Sequence, residues 1–446
     1  MELDERILNL LEEKNYPEIK DILCNMNPAD IASLFEDLNI AKIPLLFRLL
    51  PKVLAAETFV EMEPNAQALL IRGFSDNELK EVLDELYLDD AVDIVEEMPA
   101  NVVKRILSNT DPDTRKMINE ILKYPDDSAG SIMTIEYVSL RPAMTVEEAI
   151  KRIRRTGVDK ETIYTCYVTD DNRVLQGMVS IKDLLLAEET SLIKDIMDVN
   201  CISAHTLEDK EQVANKFNKY NFLAIPVVDD ENRLVGIVTF DDAIDVMQDE
   251  ATEDIKKMAA IIPSDKSYFR TGVFDTWKAR IPWLLLLMIS ATFTGMIITS
   301  FEDALAAQAV LTAFIPMIMD TGGNSGGQAS VTIIRALSLN EVEFSDIFRV
   351  IWKEFRVALA CGMTLAGCNF VKLLVFDRLE TDVALVICVT LVMTVVIAKF
   401  IGCTLPILAK KIGFDPAVMA SPFITTIVDA VSLLIYFRIA TLVLNI

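Results

Sequence analysis

The chain has 446 residues and a formal net charge of −25. One histidine (His205) and seven scattered cysteines, with no C-x-x-C pair, exclude a His-based triad, a multi-His metal site and a disulfide framework. The acidic balance argues against nucleic acid, which wants a basic face, and favours cations as ligands.

The charge is held unevenly. Residues 1–280 carry 32 Lys+Arg and 55 Asp+Glu, net −23, whereas residues 281–446 carry 10 and 12, net −2. With a mean hydropathy of +0.34, the chain reads as an acidic soluble region joined to a C-terminal membrane domain. The acidic, amphipathic start MELDERILNLLEEKNYPEIK is no signal peptide, so the soluble region is expected in the cytoplasm. Residues 1–127 show short apolar periods at helical spacing. Pro28-Ala-Asp-Ile-Ala-Ser-Leu-Phe-Glu-Asp-Leu38 is echoed by Asp89-Asp-Ala-Val-Asp-Ile-Val-Glu-Glu-Met98. An α-solenoid-like domain follows, its acids mostly a solvated face.

Between about 128 and 250 lies an internal repeat. Ser131-Ile-Met-Thr134 recurs as Asp195-Ile-Met-Asp198, and Gly177-Met-Val-Ser-Ile-Lys-Asp-Leu184 as Gly236-Ile-Val-Thr-Phe-Asp-Asp-Ala243. Each copy predicts a strand, an Asp/Asn turn, a strand and a helix. The layout resembles a tandem pair of CBS (cystathionine-β-synthase) domains, an α/β fold. Such pairs are usually regulatory and many bind adenine nucleotides, so ATP is a candidate ligand, although no Gly-rich phosphate loop supports it. His205 has no evident role beyond a polar surface position.

The segment from Asp241 to Asp254 is a helix with an acidic band: Asp242, Asp245, Asp249, Glu250, Glu253 and Asp254 recur every three or four residues. Like charges at that spacing repel. Either this is a solvated linker helix, or divalent cations neutralise it. The helix is expected to continue through Lys256 to Ile262 and to stop at Pro263, leading into the membrane.

Five apolar runs follow: 281–301, a shorter one at 304–319 containing Pro316, about 357–376, about 383–409 broken by Lys399, and from about 416 to the end, broken by Asp429 and Arg438. Cys361, Cys368, Cys388 and Cys403 lie in these runs and read as small buried hydrophobes. Basic residues favour an inside N-terminus and an outside C-terminus. The glycines of PMIMDTGGNSGGQAS (316–330) weaken helix and let backbones approach. They make either a packing seam, a cytoplasmic turn or irregular backbone lining a wet cavity. Asp429, inside an apolar span, should face a cavity, a partner or an ion; pairing with Lys399 or Arg438 is the bland alternative. Pro422 is expected to free a carbonyl near residue 418, and Thr425 lies one turn before Asp429. Oxygen ligands and one carboxylate suit Mg²⁺ or Ca²⁺.

The order of segments, with PMIMDTGGNSGGQAS and SPFITTIVD (421–429), resembles the MgtE family of magnesium channels and transporters over essentially the whole chain. The resemblance implies a homodimer in the cell (inner) membrane, with domains at 1–127 (helical), 128–245 (CBS pair), 246–275 (connecting "plug" helix) and 276–446 (five-helix pore). Spans two and five would line a central pore, carrying Pro316, Gly322, Gly323, Asn324, Gly326, Gly327 and Pro422. Asp429 would hold hydrated Mg²⁺, with Thr425 lining the same site. Intracellular Mg²⁺ would close the pore by binding Asp242, Asp245, Glu250, Glu253 and Asp254, joined by an acid near Asp89 or Asp90; Asp415 also matches a family acid. Ser432 stands where the family often has glycine, which questions close packing there. Two other functions stay open: a secondary transporter using Asp429, and a membrane-bound Mg²⁺ or nucleotide sensor that transports nothing. An enzyme is not expected.

Overall fold

Proline and short polar caps set where helices begin in the N-terminal region. In this computed structural model, which describes residues 3–39, 42–264, 268, 271–419 and 421–444, ten helices run from α1 (Leu3–Glu12) to α10 (Pro112–Ile121). Asn27 accepts a hydrogen bond from the Ala29 amide at 3.1 Å, just ahead of Pro28, and Ser75 with Glu78 forms a capping box. Helices this short are marginal alone. They gain stability by sharing one core, in which Phe35, Phe59, Leu70, Ile71 and Ile106 are fully buried. Packing is next-but-one, as in a solenoid: α3 (Pro28–Asp37) on α5 (Lys52–Val60), α5 on α7 (Asp76–Leu83), α7 on α9 (Ala100–Asn109).

Two three-stranded sheets follow: β1 (Ser139–Leu140), β2 (Thr165–Thr169) and β3 (Leu175–Ser180), then β4 (Ala204–His205), β5 (Ala224–Val228) and β6 (Leu234–Thr239). In each, the first strand is parallel to the second and the second antiparallel to the third. The helices are α11 (Val146–Thr156), α12 (Ile181–Leu186), α13 (Ile193–Ile196), α14 (Lys210–Tyr220) and α15 (Phe240–Met258). The expected strand–turn–strand–helix unit thus occurs twice, its turns passing through Arg173 and Asn232 at positive φ. His205 lies on β4 and its Nε2 is 2.9 Å from Asp230.

The repeats are crossed. Thr134, ahead of the first sheet, exchanges two backbone hydrogen bonds of 2.8 Å with Ile237 of the second. Asp198, ahead of the second sheet, does the same with Met178 of the first, at 2.9 and 2.8 Å. The repeated glycines make room for this. A Cβ on Gly236 would lie 2.7 Å from the Thr134 carbonyl oxygen, and one on Gly177 would lie 2.5 Å from that of Asp198.

The chain divides into two units, Met1–Met247 and Gln248–Ile446, so α15 begins in one and ends in the other. The second unit contains α16 (Val273–Ser300), α17 (Glu302–Ala307), α18 (Ile315–Ser338), α19 (Ile347–Val375), α20 (Thr381–Lys411) and α21 (Ser421–Leu444). Among the described residues four stretches are long and apolar enough to cross a membrane: Val273–Ser300, Phe344–Val375, Thr381–Lys411 and Pro416–Leu444. α20 is the scaffold on which α18, α19 and α21 pack, and α18 also packs on α21. α16 has no buried residue and touches α21.

Several sequence expectations are corrected. The run at 304–319 is not one span: it breaks into α17, a 3-10 turn at Ala309–Phe314 and the start of α18. Pro316 opens α18 instead of interrupting a helix, since its fixed φ and missing N–H suit a first turn. Pro422 likewise lies in the first turn of α21, so it frees no intrahelical carbonyl. The glycines at 322–327 are continuous helix. α15 stops at Met258, four residues early, where Ala260 turns to positive φ. Of the four cysteines in the apolar runs, Cys388 and Cys403 are buried, but Cys361 and Cys368 are exposed on α19.

Candidate metal centres and ion path

In the first unit, α8 (Leu88–Glu97) opens with two acids, and these face the start of α15. Asp89 is buried and its Oδ1 accepts the Asp90 amide at 3.0 Å. Burial, then the charges of Asp242 and Asp90, push the Asp89 carboxyl well above its ordinary value. Burial followed by the charges of Asp242 and Asp241 pushes Asp90 up to about 7. Asp242 is pushed up to about 6, mainly by burial, although its Oδ2 accepts the Thr239 hydroxyl at 2.5 Å. The acids predicted from opposite ends of the soluble region are therefore brought together. Asp245 acts on Asp242 but is itself exposed, as is Asp249, and Glu250 is half-buried.

The sequence reading missed Glu161. Burial and the charges of Asp90, Asp242, Asp241 and Glu136 push it up to about 8. Its Oε2 is buried with no hydrogen-bond partner. Tyr87 faces the same acids, and burial raises its phenol. Only the spacing of Glu136 and Glu161 around β1 could have hinted at this, and that is no signal without the fold. An all-oxygen, uncompensated set with an orphaned buried atom fits a hard divalent cation. Among the described residues no three His, Cys, Asp or Glu side chains are grouped to hold a metal directly. These acids therefore fit a cation that keeps its waters, as Mg²⁺ does.

In the second unit the end of α15 is arranged differently. Lys257 Nζ lies 2.6 Å from both Glu253 Oε1 and Asp415 Oδ2. Asp415 Oδ1 also accepts the Ala417 amide at 2.8 Å. Asp254 Oδ2 accepts the Ser338 hydroxyl at 3.3 Å, and Met258 packs on Ile334 and Ala417.

The last constellation is the crossing of α18 and α21. Gly322, Gly323, Gly326 and Gly327 are buried in a packing seam. A Cβ on Gly322 would lie 2.9 Å from Val428 Cγ1 and 3.1 Å from Ser432 Oγ; one on Gly323 would lie 2.8 Å from Thr425 Cγ2. Ser432 is therefore accommodated by a glycine opposite. Thr425 turns its side chain toward α18. Asp429 Oδ1 is buried and has no hydrogen-bond partner. Lys399 does not reach it: its Nζ is 3.7 Å from Glu354 in a buried pair between α19 and α20. The face of α18 away from the seam is exposed and mostly polar: Asp320, Asn324, Gln328, Thr332 and Arg335, with Pro316 at its start and Val331 among them.

Comparison with known proteins shows where these parts occur together. A "Divalent cation transporter" family model, MgtE, matches residues 315–439, the "MgtE intracellular N domain" matches 26–127, and CBS domains match 129–189 and 193–249. The chain is 37% identical to the magnesium transporter MgtE of Thermus thermophilus over 443 residues, covering 98% of this chain and 97% of that protein. The chain belongs to the MgtE family. A second relative, the magnesium transporter MgtE of Bacillus subtilis, is 34% identical over 99% of this chain and 97% of its own length. Among solved structures, the cytosolic domain of the Mg²⁺ channel MgtE in complex with ATP is 36% identical with a TM-score of 0.52, covering 55% of this chain and 100% of that one. The soluble part of a magnesium transporter matches at 31% identity, with the same TM-score, over 56% of this chain and 98% of that one. The helical N domain, the CBS pair and the apolar helices of this chain are thus the MgtE set of parts.

Proposed function

We propose that this chain is a Mg²⁺-selective channel of the cell (inner) membrane, acting as a homodimer and closed by intracellular Mg²⁺. Near full-length likeness to magnesium transporters supports the cargo. The observation that carries the gating is the juxtaposition of Asp89 and Asp90 on α8 with Asp242 on α15 and the orphaned Glu161, acids that oppose one another until neutralised. Neutralisation would favour the compact arrangement, and a ligand shifts a gate only by its differential affinity for the two states. Asp242, Asp245, Asp249, Glu250, Glu253, Asp254, Asp89, Asp90 and Asp415 make up the regulatory acids, with the tail of α15 as the plug.

The division into 1–127, 128–245, 246–275 and 276–446 is part of this reading. So is α18 as a fifth span. Its seam runs beside the middle of α20 and α21, with Gly322 near Thr394 and Val428 and Gly326 near Ala398 and Ile424. That puts it at the depth of two helices apolar enough to span. The N-terminus is then cytoplasmic and the C-terminus outside. Asp429 and Thr425 mark the ion site. ATP is a ligand of the CBS pair, supported by likeness to a cytosolic domain solved with ATP.

Mg²⁺ flux into proteoliposomes tests the reading, wild type against Asp429→Ala, at low and high Mg²⁺ on the cytosolic-domain face. Flux high at low Mg²⁺, suppressed at high Mg²⁺ and absent in the variant is expected. Flux dependent on a second ion gradient would favour a secondary transporter. No flux in either protein would favour a sensor.

A further inference from the structure

The exposed face of α18 repeats every three or four residues: Asp320, Asn324, Gln328, Thr332, Arg335. This is one stripe of a helix. The opposite face is occupied by α20 and α21 through the glycine seam. If α18 spans, as the proposed function holds, an acid and an arginine on that stripe cannot be left against lipid; such groups face a water-filled path or a partner. Asp320 is the sixth residue of α18, beyond the first turn where an acid serves the helix dipole, so capping does not explain it.

The seam fixes the level of Asp320. Gly322 meets Val428 and Ser432, and Gly326 meets Ile424, so α18 and α21 run antiparallel. Asp320, half a turn before Gly322, therefore lies near residues 430–432 of α21. That is just beyond Asp429 toward the end of α21, the outer side in the proposed orientation. This register sets Asp320 at the level next to Asp429, whose Oδ1 is buried and unpartnered.

We propose that Asp320 is a second carboxylate of the ion path, placed outward of Asp429, which draws hydrated Mg²⁺ from the outer mouth and sets the concentration at which the path fills. Arg335, at the other end of the stripe, leaves the attraction for cations concentrated at the outer end. A carboxylate at a mouth raises local cation concentration by an amount that salt screens.

The test is Mg²⁺ flux into proteoliposomes at low cytosolic-face Mg²⁺, titrating outer Mg²⁺ at low and high ionic strength. Asp320→Asn should raise the half-saturating Mg²⁺ roughly three- to ten-fold at low ionic strength, with maximal flux changed less than about twofold, and the difference should shrink in high salt. Asp320→Glu should restore most of the wild-type value, which a packing role for Asp320 would not produce. Half-saturation and salt dependence of Asp320→Asn equal to wild type, with Asp429→Ala inactive, overturn the inference and leave the proposed function standing. If Asp429→Ala conducts like wild type, the proposed function itself fails. An Asp320→Asn protein that elutes as aggregate while Asp320→Glu behaves as wild type in both salt conditions also counts against the inference, because it marks a fold role.

Discussion

The two ends of α15 carry similar acids in opposite surroundings. At its start Asp241 and Asp242 meet Asp89, Asp90, Glu136 and Glu161, and the largest charge effects on the buried members come from other carboxylates. At its end Glu253 and Asp415 share the ammonium of Lys257 at 2.6 Å. Desolvation alone would lower the Lys257 pKa, yet hydrogen bonds to Asp415 and Glu253 hold it above the ordinary lysine value. Among the described residues no cation offsets the buried acids at the first end, whereas the other carries its own counter-charge. A divalent cation from solution therefore has most to offer at the start of α15, where its binding relieves both repulsion and burial cost.

Removing acids at the uncompensated end gives the largest expected effect. The pair Asp90→Asn and Asp242→Asn should abolish or shift at least about tenfold the Mg²⁺ dependence of closure, because the ligand's differential affinity is lost. Flux against cytosolic-face Mg²⁺ reads this. Wild-type suppression in the double variant would break the comparison at its stronger side.

A pH effect comes next. Asp90 and Glu161 lie near 7 and 8 against ordinary values of 3.8 and 4.5. Between about pH 4 and pH 7–8 the native protein holds protons that the unfolded chain has released, so stability falls as pH rises through that window. The raised carboxyls are Asp89, Asp90, Asp93, Glu161 and Asp242, and Tyr87, Glu136 and Asp241 face them. Thermal melts with chelator should show Tm falling from pH 5.5 to 8, and millimolar Mg²⁺ should flatten the slope. A Tm that climbs over that range with chelator present is the contrary result.

At the compensated end, Lys257→Met leaves Glu253 and Asp415 without their shared cation. We expect the tail of α15 to be more open to protease without Mg²⁺ and to need Mg²⁺ for protection, a change of a few-fold in cleavage rate. Cleavage no faster than wild type under chelation would mean that the pair contributes nothing, as many exposed pairs do.

Gly402→Ala is the control away from both ends. Its Cβ would press on the Gly326 carbonyl oxygen, in the seam of α18 and α20. A loss of about 1–3 kcal/mol of stability is expected, with the Mg²⁺ midpoint of closure unmoved in the protein that folds. Calorimetry and the flux titration check the two halves of that statement.

Local pattern made part of this legible. Strand patterns and Asp/Asn turns mark both CBS units, and apolar residues at helical spacing mark the N-terminal helices, because those signals act within a few residues. What joins distant segments was hidden. Nothing local says that Thr134 pairs with Ile237, or that Glu161 turns into the acids of α8. Asp89, Asp90 and Asp242 were reached through the family resemblance, since an acidic helix alone also fits a solvated face. Apolar run length misplaces the helix at 304–319, because Pro316 lies inside the run yet begins the next helix. Of the alternatives open for the glycines, the packing seam describes their contacts with α20 and α21, and a polar stripe with a period of three to four runs beside them. Asp320 lies inside PMIMDTGGNSGGQAS, but only the register of α18 on α21 sets it beside Asp429.

The crossed CBS repeats carry a consequence for how the chain is made. Thr134 waits for Ile237, 103 residues later (237 − 134). At about 5–20 residues per second, its partner strand leaves the ribosome roughly 5–20 seconds afterwards. Until then the leading segment has no sheet to join, although the Asp198 segment that completes β3 has already been made. The first sheet can gather its partners once residue 198 is made, but the crossing of the pair is closed by the late, non-local Thr134–Ile237 contact, which is of the slow kind. A chain stalled or truncated between the repeats should be a client for chaperones or proteases, not a half-working sensor.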